Sequence, residues 1–301
     1  MTAYSELMAF QRETEALAQI AGRLGWDQET MMPPGAAKAR AEEMGAMENL
    51  LHARRTDPRM AEWLTRAKAP DAAGNRALDL ISRTYLKTAK VPAKLAVELA
   101  RVTSLAQGIW AEARARDDVA HFLPIFGQVV DLSREKAAAL AADSDADPYD
   151  ALLDDYEPGA TAASLRSMFD AMRPRLRALR TDVLGASYRP KSLSGHFPKE
   201  AQLALATDIA RAFGYDFNRG RIDLAVHPFS SGSGDDVRIT TRIDESDPFN
   251  CLYSTIHEVG HACYEQAIDA AYHLTPLGQG VSMGVHESQS RIYENQIGRS
   301  R

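Results

Sequence analysis

His257, Glu258 and His261 stand together in the run Tyr253-Ser254-Thr255-Ile256-His257-Glu258-Val259-Gly260-His261-Ala262-Cys263-Tyr264. Histidines four apart share one face of a helix, with Cβ atoms about 5–6 Å apart. Both imidazoles can then reach one metal ion at roughly 2.0–2.1 Å per Zn–N bond. Glu258 follows the first histidine by one position, close enough to take a proton from the metal's water without being a ligand. Ile256, Val259 and Cys263 form an apolar stripe, which predicts a partly buried helix. Buried imidazole beside buried carboxylate is costly unless the groups are paired or bind a metal. Gly260 costs about 1 kcal/mol against alanine inside a helix, so something is expected to pack closely there.

A catalytic zinc needs three protein ligands and an open position. The continuation H-E-x-x-H-x-x-G-x-x-H would need glycine at 264 and histidine at 267, where the chain has Tyr264 and Ala267. His273 falls in an expected loop. The last segment, Gly284 to Glu294, is the better source. Glu287 and Glu294 qualify by position, and His286 by its chemistry. Val285, Ile292 and Ile297 also suit an inward amphipathic face.

The elements that must hold these groups read as mainly helical. Leu7, Phe10, Leu17, Ile20 and Leu24 keep near-helical spacing up to Met31-Met32-Pro33-Pro34-Gly35. Ala36 to about Ala67 is rich in helix formers. Further helices are expected at Asp79 to Lys90, from Pro92 to about Arg116, at Phe122 to Ala142, Thr161 to Leu184 and Pro198 to Phe213. The acidic run Asp143 to Asp147 is expected to end one helix, and Tyr149 to Gly159 to make a turn-rich connection of solvated acids without partners. Beyond Gly214 the pattern changes. Asp223 to Phe229 reads as a strand end or edge because of Pro228. Ser230 to Gly234 reads as a flexible loop with no phosphate-loop ending. Val237 to Ile243 alternates, with Val237, Ile239 and Ile243 on one side and Arg238, Thr240 and Arg242 on the other. Asp247-Pro248 then opens the histidine-bearing helix. The predicted fold is mainly α: a multi-helix body with a small β-sheet beside an HExxH metal-binding helix. One domain is expected over 1–301, with a helical region over 1–213 and a metal-site region over 214–301.

The 301 residues are 45% hydrophobic and 25% charged, an ordinary globular composition. A net charge of −6 argues against a nucleic-acid partner. The one basic cluster, Arg173, Arg175, Arg177, Arg180, Arg189 and Lys191, lies mostly beside the stripe Leu165, Met168, Phe169, Met172, Leu176, Leu179 and Val183, and reads as a solvated helix face. Cys251 and Cys263 form no C-x-x-C and read as reduced thiols. The start, Met1 to Glu6, lacks signal-peptide character, and no apolar run spans a bilayer. A cytoplasmic protein without membrane partner is expected.

HEVGH, His227-Pro228-Phe229, Asp236-Val237-Arg238-Ile239-Thr240 and His286-Glu287-Ser288-Gln289 occur in the order seen in the carboxypeptidase Taq family of metallocarboxypeptidases. Trp26 to Gly35 and Pro148 to Gly159 also resemble that family, so the resemblance covers nearly the whole chain. It implies His257, His261 and Glu287 as ligands of one divalent ion, zinc or alternatively cobalt, with Glu258 as general base. It implies a mainly helical fold with a deep, zincin-like groove, and a homodimer. Two further family motifs, I-R-x-x-A-D with its carboxylate-binding arginine and G-x-x-Q-D-x-H-W, do not occur in these residues, so the chain resembles a short form. The resemblance thus supports metal binding more fully than exopeptidase specificity.

The expected activity is metal-dependent removal of C-terminal residues from peptides, with Val237 to Ile243 offering backbone hydrogen bonds to the substrate. Arg238 is a candidate anchor for the substrate carboxylate, or else an ion-pair partner of Asp236 or Glu245. His227 is a candidate oxyanion donor, or else a structural element of the turn at Pro228. Two other functions fit the same residues: a zinc endo-oligopeptidase, and a non-catalytic metal-containing module for peptide binding or dimerisation.

Overall fold

The computed structural model describes residues 2–142 and 147–300. Helix α1 (Ala3–Thr30) begins at a capping box in which Thr2 and Ser5 satisfy each other's backbone amides. The helix-forming segment after it is interrupted. It makes α2 (Ala37–Arg55) and α3 (Arg59–Arg66), because Pro58 disfavours helical geometry at Asp57, whose carboxylate takes the Arg59 amide instead. Helix α4 (Ala72–Lys90) starts earlier than expected, at an Asp71 cap on the Gly74 amide. Helix α5 (Ala93–Arg116) follows Pro92 as expected, and α6 (Val119–Ala141) packs against it. The acidic run expected to end α6 lies outside the described residues, apart from Asp147, which caps α7 (Pro148–Leu153). Arg301 also lies outside them.

Helix α8 (Ala162–Gly185) buries no residue. Its arginines are solvated as expected, and the apolar stripe beside them, half-buried Leu165 apart, is exposed too, from 45% at Met172 to 61% at Val183. Helix α9 (Lys199–Ala212) leads into a three-stranded sheet of β1 (Ile222–Leu224), β2 (Ser230–Ser233) and β3 (Asp236–Thr241). The strand order is β1-β3-β2, with β1 parallel and β2 antiparallel to β3.

Two expectations about the sheet need correction. Ser230 to Gly234 is largely strand β2, paired from Ser230↔Ile239 to Ser233↔Asp236 across a two-residue turn in which Gly234 takes a positive φ of 64°. Main-chain pairing needs no bulky side chains, so a Ser/Gly-rich composition conceals it. Strand β3 also stops at Thr241, and its alternation fails there. Thr240 and Thr241 are both fully buried, since Thr240 Oγ1 bonds to the Phe229 backbone and Thr241 Oγ1 donates to the Cys251 carbonyl at 3.2 Å.

Helix α10 (Pro248–Gln266) lies on this sheet, and Ala210, Tyr215, Val237, Ile239, Val259 and Ala262 join α9, β3 and α10 in one apolar core. After two 3-10 turns, α11 (Met283–Arg291) packs across α10 and continues as a π-helical turn, Ile292–Ile297. Among the described residues no helix is long and apolar enough to cross a membrane.

The Tyr149 to Gly159 connection has partners after all. Asp154 accepts from Arg83 Nη2 at 2.7 Å and from Lys87 Nζ at 2.9 Å, while Asp155 pairs with Lys87 and Lys136. Glu157 takes the Gly284 amide and the Tyr156 carbonyl takes the Met283 amide, each at 3.0 Å, so this connection seats the start of α11. Burial works against ionising Asp154, but hydrogen bonds from Lys87, the Gly159 amide and Arg83 outweigh it and hold the carboxyl down at about 2. An acid depressed in the folded state stabilises it above the unfolded pKa, and that stability is lost as pH falls through the folded value. We expect Asp154→Asn to be less stable than the unsubstituted protein at pH 6, and the gap to close between about pH 4 and pH 2. Urea unfolding across that range measures it; a gap unchanged at pH 2 refutes it.

Candidate metal centre

The local sequence of α10 fixes the first half of the site. Asp247 caps the helix by accepting the Phe249 amide, Pro248 occupies the first turn, and the 3.6-residue period places His257 and His261 one turn apart. Their rings meet edge to face at 4.9 Å. Gly260 lies where α11 crosses. A Cβ there would stand 2.6 Å from Ser290 Cα and 2.9 Å from the Gln289 carbonyl oxygen, so only glycine lets the two backbones approach this closely.

That approach brings Glu287 to the histidines. Its Oε2 lies 3.5 Å from His257 Nε2 and 3.3 Å from His261 Nε2, and among the described residues these three are the group whose donor atoms all fall within 4.8 Å of one another. The carboxylate is held from behind. Arg291 Nε donates to Oε1 at 2.7 Å, and Ser290 Oγ lies 3.1 Å from Oε2. Burial raises its pKa, but His257, Ser290 and Arg291 outweigh that and keep the carboxyl below its ordinary value.

Behind His257 stands Glu294, whose Oε2 is 2.9 Å from Nδ1. Only 9% exposed, Glu294 also accepts from Arg291 at 3.2 Å and from Arg299 at 2.7 Å. Arg299 is itself seated 3.7 Å over the Tyr253 ring. A ligating imidazole characteristically donates its second N–H to a carboxylate in this way. With its proton on Nδ1, His257 turns the Nε2 lone pair toward Glu287, so two acceptors face each other. A cation between them makes such a contact favourable. Donors on a tetrahedral zinc, with bonds of about 2.0–2.2 Å, stand about 3.4 Å apart. The observed separations of 3.3 and 3.5 Å fit that spacing.

Glu258 is 6% exposed, and its pKa is pushed up to about 8, first by burial and then by the charges of Glu287 and Glu294. The pKa of His261 is lowered to about 4, chiefly by burial and then by His286 and His257, with Glu287 opposing. His261 is therefore neutral at neutral pH, as a ligand must be.

The remaining predicted residues sit elsewhere. His286 Nε2 is 3.0 Å from Glu265 Oε1, so its nitrogen is turned to that carboxylate. Glu294 backs His257 from the Nδ1 side. His273 faces the Ile268 carbonyl and Asp235. Arg238 forks onto Asp236 at 2.7 and 2.9 Å and stacks 4.4 Å over Trp26. His227 Nδ1 is 2.6 Å from the Pro228 carbonyl, within its own turn. Among the described residues, no hydrogen bond or ion pair links His227 or Arg238 to the three clustered groups. Strand β3 is paired on both sides and has no free edge for a peptide, contrary to expectation; β1 and β2 are the edge strands.

Residues 6–301 match the family model described as carboxypeptidase Taq (M32) metallopeptidase. Among curated relatives, thermostable carboxypeptidase 1 of Thermus thermophilus is 43% identical, over 99% of this chain and 62% of its own length. Carboxypeptidase 1 of Bacillus subtilis is 35% identical over 92% of this chain and 56% of its own length. The crystal structure of BsuCP matches with a TM-score of 0.95 at 33% identity, over 99% of this chain and 61% of that one. The M32 carboxypeptidase from Deinococcus radiodurans R1 matches with a TM-score of 0.85 at 37% identity and the same coverage. The chain thus spans about three fifths of the length of the relatives it matches.

Proposed function

The chain belongs to the carboxypeptidase Taq (M32) family of metallopeptidases, and from that membership we propose that it is a metal-dependent carboxypeptidase acting on peptides. The observation that carries this reading is the trio of His257 Nε2, His261 Nε2 and Glu287 Oε2 at ligand spacing, with buried Glu258 on the same helical turn. These three residues would hold one divalent ion, and two imidazoles with one carboxylate suit zinc. When bound, the ion supplies Lewis-acid polarisation of the scissile carbonyl and of the attacking water. Glu258 takes the proton from that water and passes it to the leaving amine nitrogen. Its burial strengthens the carboxylate as a base, and a divalent charge nearby opposes the rise in its pKa. Glu294 holds His257 by Nδ1, while Arg291 and Ser290 hold Glu287.

An extended peptide would pair with the edge strand β2, Ser230–Ser233. Arg238 can serve a substrate carboxylate only by releasing Asp236, so recognition of the free C terminus is the element to test. We expect the zinc-loaded protein to release C-terminal amino acids from a free peptide and to leave the same peptide amidated intact. Internal cleavage of both forms would instead identify an endopeptidase. Cleavage of neither, with zinc bound, would favour the binding module.

A further inference from the structure

The two histidines of the centre are supported unequally. His257 has Glu294 on Nδ1. His261 Nδ1 is buried and makes no aligned hydrogen bond, although a ligating imidazole normally anchors itself through that atom. A backbone hydrogen bond of loose geometry links the His261 ring to His286 and raises its pKa against the lowering by burial. The ring of His286 also lies flat on His261, centroids 4.5 Å apart and planes 16° from parallel. Tyr264 closes on His286 edge-on at 5.3 Å.

Glu265 explains why His286 lies there. It stands one turn beyond His261 on α10, is 7% exposed, and takes no part in the proposed chemistry. A buried carboxylate is costly without a partner, and the one it meets is His286, whose Nε2 is 3.0 Å from Oε1. The other carboxylate oxygen, Oε2, has no hydrogen-bond partner. The His286–Glu265 contact is a close approach and not an aligned hydrogen bond, and the ring it meets lies nearly parallel to His261. Gly280 leaves the room: a Cβ there would stand 3.2 Å from His286 Cδ2 and 3.6 Å from Glu265 Oε1.

We propose that Glu265 and His286 are positioning residues, with Glu265 holding the His286 ring over His261 so that the stack, in place of an aligned Nδ1 hydrogen bond, aims His261 Nε2 at the metal. This rests on the metal-site reading above. It assigns a role to a buried carboxylate that neither binds the ion nor moves the proton.

The test is zinc affinity, measured by competition with a chromogenic chelator, together with the visible spectrum of the cobalt-substituted protein. His286→Ala should bind zinc about 10–100-fold more weakly and shift the cobalt bands. His286→Phe, which restores a ring over His261, should recover most of that loss. Glu265→Gln, nearly isosteric, should weaken zinc binding in the same direction and carries the test if His286→Ala fails to fold. A lowered melting temperature with unchanged affinity and cobalt spectrum in these variants would mean a purely structural role and overturn the proposal. Equal losses in His286→Ala and His286→Phe would overturn the stack as the cause. If His257→Ala binds zinc as well as the unsubstituted protein, the metal-site reading itself fails, and this inference falls with it.

Discussion

Glu258→Gln is expected to bind zinc as the unsubstituted protein does while losing about 10²–10⁴-fold in kcat. Glutamine keeps the shape of the side chain and cannot take the proton of the attacking water. Nothing else at the centre should move, because Glu258 is not one of the three clustered donors. The same substitution has an opposite effect on stability, which separates a catalytic role from a folding one. The folded pKa of Glu258 is raised from 4.5 to about 8, by burial first and then by Glu287 and Glu294. A raised acid favours the folded state below its unfolded pKa, and that advantage is lost as pH rises through the folded value. Metal-free Glu258→Gln should therefore be the more stable protein at pH 8, with the difference shrinking toward pH 5. Denaturation in the presence of a chelator reads this, and zinc content beside peptide turnover reads the first effect. Undiminished turnover would end the assignment of Glu258 as the base.

Gly260→Ala is expected to disturb the centre from outside it. The new methyl would stand 2.6 Å from Ser290 Cα, 2.9 Å from the Gln289 carbonyl oxygen and 3.0 Å from the Ser290 amide nitrogen. That is about 1 Å inside a comfortable carbon contact, and the obstacles are main chain, which no rotamer change relieves. Helix α11 must move outward, taking Ser290 and Glu287 with it. Alanine gains about 1 kcal/mol in helix propensity, against about 1–3 kcal/mol for overpacking, so the protein should be modestly destabilised. Zinc affinity should fall roughly tenfold or more, as Glu287 leaves its spacing from the histidines. Gly22→Ala is the control. It lies in α1, where an added Cβ would meet nothing within 4 Å, and should stabilise without touching zinc affinity. Equal zinc affinity in the two variants would show that the α10–α11 crossing does not set the site.

How much could be read in advance varied with the range of the interaction. The long helices were legible because their signals are local: apolar period, Pro92 at a helix start, Asp247-Pro248 opening α10. The break at Asp57-Pro58 was equally local and was hidden only by strong helix formers on both sides. Strand β2 left no side-chain trace, since its pairing is all main chain. The Asp154 and Asp155 partners lie 19 to 71 residues back in the chain, and Glu157 lies 127 residues before Gly284, and no spacing rule reaches that far.

The site divides along the same line. The sequence alone determined that His257 and His261 share a helix face, that Glu258 sits beside them, and that Gly260 admits a close neighbour, because all three follow from a period of 3.6 residues and from the size of one side chain. Position and chemistry offered Glu287, Glu294 and His286 as companions without choosing among them, and only the resemblance to the carboxypeptidase Taq family singled out Glu287. That choice belongs to the tertiary structure. Where α11 crosses α10, Glu287 is carried to the Nε2 side of both histidines, Glu294 to the Nδ1 side of His257, and His286 onto the face of His261. The crossing is set by the glycine contact, the Glu157 cap and the packing of two helices, none of which is a property of any one segment of chain.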